Sequence, residues 1–367
     1  MEAFMSVMRV ICTDALRLGS PLEGLAGSPE WLRRIAAAAV RQSVVNLCDA
    51  ARLSDCQAIL VSGRVVEQTQ QLDAAVRWLR PHCERLGLQG ISLILCGHPA
   101  EDAALLQSLP ATIVVPQDQT FVLSRTPDGV TVNVTESVRE ERLPALVVCR
   151  GERTQTAAFR VRLQPGSMPA DSQGEGTSAW TFERDAELFL SSPQAIRPDE
   201  TAAGGALIVD VSDSTSTLTA RFCPTDVIRY SQQEFCSEQP LQRNELLRQL
   251  MRASRSLASP RQVNVVDWDI RATLVSDPQS DGRLDEQELL RDLRETLQSG
   301  LSGFWPRRIR LAEGSRLHGQ SAELEELLFG LLPEAGAAAG NNTAEHERLL
   351  RLIEPLPELL AALYRAA

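Results

Sequence analysis

The chain has 367 residues, 43% of them hydrophobic, with a formal net charge of -11. That is enough apolar material for one large domain and a smaller one, no apolar run approaches the roughly 20 residues of a membrane helix, and the opening residues lack a secretory signal pattern. The acidic balance argues against a broadly basic nucleic-acid-binding surface and leaves DNA contact as an open possibility, and the expectation is a cytoplasmic protein with no membrane association.

Residues 10–12 read as a strand. Ser28 offers an N-cap hydroxyl with Pro29 at the first helical position, and Leu32, Ile35, Ala39, Val40, Ser43, Val44 and Leu47 then recur on one helical face. Arg33 and Arg34 on that helix form a small basic cluster, read as a solvated face. Residues 58–61 are a continuous apolar run of buried-strand type, 69–86 a second amphipathic helix, and 91–96 a third strand ending at Gly97. Residues 121–123 and 130–134 flank the Thr126-Pro127-Asp128-Gly129 turn signal and predict a hairpin, and 145–149 predict another buried strand.

Residues 164–178 shift to Pro, Gly, Ser and acidic side chains, the composition of a flexible surface loop. Strands follow at 207–211 and 218–222. Beyond residue 240 the pattern becomes helix at 241–257, strand at 263–274 and helix at 285–297, then a Leu/Glu/Ala-rich tail with helical periodicity over 321–367. The order of elements predicts an α/β core over residues 1–240 and a smaller α+β domain over 241–367. Trp268 and Trp305, the latter beside Arg307, Arg308 and Arg310, are read as buried anchors, with base stacking the alternative.

The eight cysteines contain no CxxC pair, so they read as reduced, mostly buried thiols. Cys12, Cys96 and Cys149 each end a predicted strand, where a layered sheet gathers its ligand crevice. With His98 they would make a zinc-type set, against the alternative of inert core thiols.

Four segments carry a family resemblance, in order along the chain. Cys12-Thr13-Asp14-Ala15-Leu16-Arg17-Leu18-Gly19 resembles the His-Thr-Ala-Asp-Leu-His-Leu-Gly opening of calcineurin-type metallophosphoesterases of the bacterial SbcD-like DNA repair exonuclease group. Asp55 to Glu67, with Ser62-Gly63-Arg64, resembles the strand leading into their Gly-Asp-Leu-Phe-Asp, and Cys96-Gly97-His98-Pro99 the approach to Gly-Asn-His-Asp. Ser192-Pro193-Gln194, Glu200-Thr201 and Gly205-Ala206-Leu207-Ile208-Val209 resemble the Asn-Pro-Gln-Gly-Arg, Glu-Thr-Gly and closing-strand segments. The resemblance implies a four-layer αββα sandwich with a C-terminal cap, a two-metal site acting on phosphodiesters, and association with an SMC-like ATPase subunit and a second copy of the chain.

Carried over one position at a time, the implied ligands are absent. The first Asp falls on Ala15 and its His on Arg17. The bridging Asp falls on Arg64, the metal-binding Asn on His98, the adjacent catalytic His on Pro99, and a later His near Cys149. Methyl and guanidinium groups cannot coordinate a cation, and the whole chain has four histidines, at His82, His98, His318 and His346. The expectation is a degenerate member with no catalytic residues and no cofactor.

Three rescues stay open beside it. Asp14, Glu67, His98 and Asp102 could hold one Mg or Mn ion, although a one-residue step along a strand turns Asp14 to the opposite face unless a bulge intervenes. The cysteine and His98 set could hold Zn. Finally, Arg17, Arg64 and His98 could bind phosphate without hydrolysis, against the alternative that the arginines are tied up by Glu67, Asp14 or Glu101.

Overall fold

The computed structural model describes residues 7–116, 120–126, 129–135, 146–150, 158–165, 179–182, 185–212, 217–259, 261–274, 285–298 and 303–312. Two compact units divide the chain. One comprises Met1–Gln233, Met251–Trp268 and Leu290–Ile309, and the other Glu234–Leu250, Asp269–Leu289 and Arg310–Ala367.

The first unit opens with strand β1 (Val7–Thr13), helix α1 (Glu30–Leu53), strand β2 (Ala58–Val61), a 3-10 turn (Thr69–Gln71) leading into α2 (Leu72–Gly87), β3 (Ser92–His98), α3 (Ala100–Gln107) and β4 (Thr112–Pro116). These four strands are parallel neighbours in the order 4-3-2-1. Each crossover steps the same way along the sheet, so right-handed connections place all three helices on one face. The packing agrees. Ile11, Ile59, Val61, Leu93 and Leu95 share a core with Val44 and Leu47 of α1, Val76 and Leu79 of α2, and Leu106 of α3.

Strands β5 (Thr120–Thr126), β6 (Gly129–Thr135), β7 (Leu146–Arg150), β8 (Ala158–Pro165) and β10 (Asp185–Leu190) form a second sheet in the order 10-8-7-5-6. The expected hairpin is β5 and β6, antiparallel from Thr120↔Thr135 to Thr126↔Gly129. Between β8 and β10 in sequence, β9 (Trp180–Phe182) joins the large sheet. Strands β11 (Gly205–Ser212) and β12 (Thr217–Pro224) extend that sheet antiparallel on the other side of β1, giving seven strands in the order 4-3-2-1-11-12-9. Side chains alternate across a strand, so residues next to the helix-facing ones point the other way. Val10, Cys12, Leu60, Ile94, Leu207 and Val209 do so, and meet Leu123 of β5 with Leu188 and Leu190 of β10. Helices therefore cover one face of the mixed sheet and a second sheet the other.

Strand β13 (Ile228–Leu241) runs through residue 240, followed by α4 (Arg243–Leu257), β14 (Val263–Leu274), α5 (Glu286–Gln298) and β15 (Phe304–Leu311), with the three strands in the order 13-14-15. Within the first unit, Ile228, Tyr230, Val263, Val265 and Trp305 form a core with Leu32 and Ala39 of α1. In the second unit Leu246, Leu250 and Ile270 are buried, Arg243 pairs with Glu288 at 3.1 Å, and Glu286 accepts the Leu311 N–H at 2.8 Å.

One local expectation is corrected. Pro29, not Ser28, is the N-cap of α1, extended at ψ 158 with no side-chain cap. Its carbonyl accepts the N–H groups of Leu32 and Arg33, while the Ser28 hydroxyl is buried without a partner. The basic cluster at 305–310 is strand β15, in which Phe304, Trp305, Pro306 and Ile309 are buried and Arg307 pairs with Asp267. Trp268 and Trp305 are both buried, and Arg294 lies 4.6 Å over the Trp305 ring. Most of the flexible-loop expectation, 166–178, and the tail 321–367 lie outside the described residues. No helix among the described residues is long and apolar enough to cross a membrane.

Candidate functional site

Parallel strands β1, β2 and β3 end on the same edge, and the carboxyl ends of such strands open onto the crevice where α/β sheets bind ligands. Three peptide segments leave there, Asp14 to Arg17, Ser62 to Arg64 and Gly97 to Pro99. Hydrogen bonds hold the first two together, with Ser62 N–H donating to the Thr13 carbonyl at 2.9 Å, and Leu16 and Leu18 N–H donating to the carbonyls of Arg64 and Val65. The segment after β10 closes the other side. Asp14 N–H donates to the Ser191 carbonyl at 3.1 Å, and the buried Thr13 hydroxyl lies 3.0 and 3.1 Å from the carbonyls of Ser191 and Gly205.

Asp14 is the carboxylate at this edge. β1 ends at Thr13, so strand alternation no longer governs the next residue, and Asp14 reaches the crevice without a bulge in β1. Its Oδ1 lies where a Cβ on Gly63 would come within 2.6 Å. Burial pushes its pKa up; the Ala15 N–H, the charge of Arg17 and the nearby hydroxyls of Ser62 and Ser192 pull the other way without cancelling it. The Ser62 hydroxyl is itself buried, close enough to favour the carboxylate but without a partner in hydrogen-bond geometry.

Arg17 stands at φ 52, a left-handed conformation unusual for a residue with a Cβ. Its Nη1 donates to both oxygens of Glu200, at 2.7 and 2.8 Å, and its Nε lies 3.6 Å from Glu67. Glu200 also accepts the Ile196 N–H at 2.9 Å. Burial alone would raise the Glu200 pKa, but Arg17 and the two backbone donors outweigh it and hold the carboxyl below its ordinary value. Its guanidinium thus pairs with two carboxylates, Glu67 being one of the acids set against phosphate binding in the sequence. Arg64 is exposed and has no ion-pair partner among the described residues.

His98 ends β3 after Gly97, whose φ of +77 accompanies a register shift against β4. It is 2% exposed and its Nε2 has no hydrogen-bond partner. Burial lowers its pKa, with Asp102 opposing and Arg64 reinforcing, which disfavours the charged imidazole. Pro99 caps α3, which begins at Ala100, and Ala15 is half-buried on the loop after β1.

Cys12 and Cys96 are buried on the sheet face that meets the second sheet, where burial pushes the Cys96 thiol far up. Cys149 sits in β7 opposite Phe159, its side chain outside the described residues. Among the described residues, no three His, Cys, Asp or Glu side chains converge to hold a metal ion. The set of Asp14, Glu67, His98 and Asp102 is not gathered into one, since Glu67 turns to Arg17.

Gln194 and Glu200 were the residues the sequence did not single out for a role. Gln194 is buried, and its amide accepts from the N–H groups of Val227 and Ile228 and donates to the carbonyls of Ala195 and Ile228. Thr225 donates to the Pro193 carbonyl at 3.0 Å, and buried Asp226 accepts from Gly204 N–H and Arg229. The signal was present as polar side chains between Pro and Gly at strand ends, where a buried turn needs side chains to satisfy its backbone.

The crevice thus holds one largely buried carboxylate, one buried imidazole and an arginine paired with two acids. This donor set does not fit a pair of divalent cations, which needs several ionised or neutral ligands around each ion. Scanned against family models and against curated proteins, the chain matches none.

Proposed function

We propose that the chain is a catalytically degenerate metallophosphoesterase-like protein of the SbcD-like exonuclease kind, serving as a non-catalytic scaffold or regulatory subunit linked to DNA-end processing. The observation that carries this reading is the Arg17 to Glu200 pair: a guanidinium locked between carboxylates occupies the strand-end position where the resemblance implies a metal-binding histidine. The methyl group of Ala15 and the exposed guanidinium of Arg64 support it at two further positions. The helix layer and two facing sheets support three layers of an αββα sandwich, with the fourth layer and a cap over 241–367 part of the proposal. The partners in this reading are an SMC-like ATPase subunit and a second copy of the chain. The seven described cysteines are all free thiols, which suits the reducing cytoplasm.

A second reading has one observation in its favour. The Asp14 carboxylate, turned into the crevice beside two serines, could serve a residual Mg- or Mn-dependent phosphodiesterase or exonuclease. Nuclease and chromogenic phosphodiester assays with added Mn decide between them. The scaffold reading expects no turnover from folded protein; turnover abolished both by EDTA and by Asp14→Ala would replace it with the second.

A further inference from the structure

A groove of about 570 Å³ runs between the loop that follows Gly19 and one side of α1. Its floor is apolar and continuous with the interior: Leu25 and Val40 are buried core residues, and Leu22 and Ala36 are partly buried against them. Its wall is the exposed stretch of α1 that carries Arg33, Ala37 and Arg41.

Charge singles this groove out. In a chain of net charge -11, the only charged residues lining it are the two arginines. Arg41 has no ion-pair partner among the described residues. Arg33 shares Glu30 with Arg34, at 2.9 and 3.0 Å, so those three side chains together still carry one positive charge. Such exposed pairs are weak and readily exchanged for another carboxylate. With a rise of about 1.5 Å per residue, the eight steps from Arg33 to Arg41 separate their backbones by roughly 12 Å, about two helical turns. The alanines between them leave room for a close approach.

We propose that this groove docks an acidic amphipathic helix of a partner protein. Leucine-type side chains spaced along one face of that helix would cover the Leu22, Leu25, Ala36 and Val40 floor, as apolar anchors do when a helix lies in a groove. Glutamates flanking that face would pair with Arg33 and Arg41, supplying orientation and attraction at long range. Its lining includes none of Asp14 to Arg17, Ser62 to Arg64 or Gly97 to Pro99, and the inference holds whether or not the crevice is catalytic.

The test uses the full chain and two fluorescein-labelled 18-residue peptides with the same leucine face, one flanked by glutamate and one by lysine. Fluorescence anisotropy should show the glutamate peptide binding at least tenfold more tightly than the lysine peptide. Arg41→Glu should weaken it by tenfold or more, and Ala37→Trp, an exposed position where the indole would fill the groove, should abolish it. Arg52→Glu, in the last turn of the same helix, should leave it unchanged. Equal affinity for the two peptides, no binding of the glutamate peptide, or equal losses in Arg52→Glu and Arg41→Glu would each overturn the proposal. So would an Arg41-dependent affinity for duplex DNA in place of the peptide. Circular dichroism melts of each variant confirm that the fold is retained.

Discussion

Arg17 and Glu200 lie 183 residues apart, yet both Glu200 oxygens sit within 2.8 Å of a single Arg17 nitrogen. The pair ties the loop after β1 to the segment between β10 and β11. Removing the guanidinium leaves Glu200 partly buried with only the Ile196 N–H and Arg197 to satisfy it. Arg17→Ala should therefore cost about 1–3 kcal/mol in urea unfolding. Arg17→Gly should cost about 0.5–1 kcal/mol less than Arg17→Ala, because glycine adopts the positive φ freely. Equal losses would mean that the backbone there carries no strain.

Gly63 is tightly packed against the loop after β1. A Cβ added there would meet Asp14 Oδ1 at 2.6 Å, Ala15 N at 2.9 Å and Ala15 Cα at 3.1 Å. Two of those neighbours are backbone atoms held by the Leu16 to Arg64 hydrogen bond, so the strain cannot be relieved by rotating a side chain. Gly63→Ala should destabilise by about 1–3 kcal/mol, read from the shift of the urea midpoint at constant m-value.

Gln194 satisfies buried backbone groups on both sides of a turn. Gln194→Ala strands the N–H groups of Val227 and Ile228 and leaves a cavity, for an expected loss of about 3–5 kcal/mol. Gln194→Met fills much of the volume but still strands the N–H groups. If it recovered full stability, the hydrogen bonds would be shown to contribute little.

His98 gives the fold an acid sensitivity of defined sign. Its folded pKa lies below the ordinary 6.5, so the unfolded chain takes up a proton first as the pH falls. The associated stability is fully present above pH 6.5 and drains away through that value toward the folded pKa. His98→Gln should flatten the stability profile between neutral and mildly acidic pH, measured by urea titrations at several pH values. An unchanged profile would place the acid sensitivity elsewhere, with Glu200 and His82 shifted in the same direction.

Much of the sheet core could be read from local pattern. Residues 58–61, a continuous apolar run, and 263–274 are strands with the bounds expected, because strands with buried faces carry their own signal. Helix α3 could not be read, since Leu106 is its only buried residue and eight residues leave no periodicity to detect. Strand β13, with the polar run Gln232-Gln233-Glu234, and β15, with three arginines, were hidden because side chains facing out of a sheet set the composition. At the crevice, local sequence marked Ala15, Arg17 and Arg64. The partner of Arg17 was invisible, being fixed by how a distant segment folds back, and so was the turn of Asp14, which depends on β1 stopping at Thr13.

The position of β1 has a consequence for how the chain is made. Its partner on one side, β2, follows within about 50 residues, but on the other side Arg9 pairs with Asp210, 201 residues later. At ribosomal rates of about 5–20 residues per second, that flank of β1 waits roughly 10–40 s for its neighbour. Through that interval the nascent chain carries an open, largely apolar strand edge, the kind of surface that recruits chaperones or aggregates.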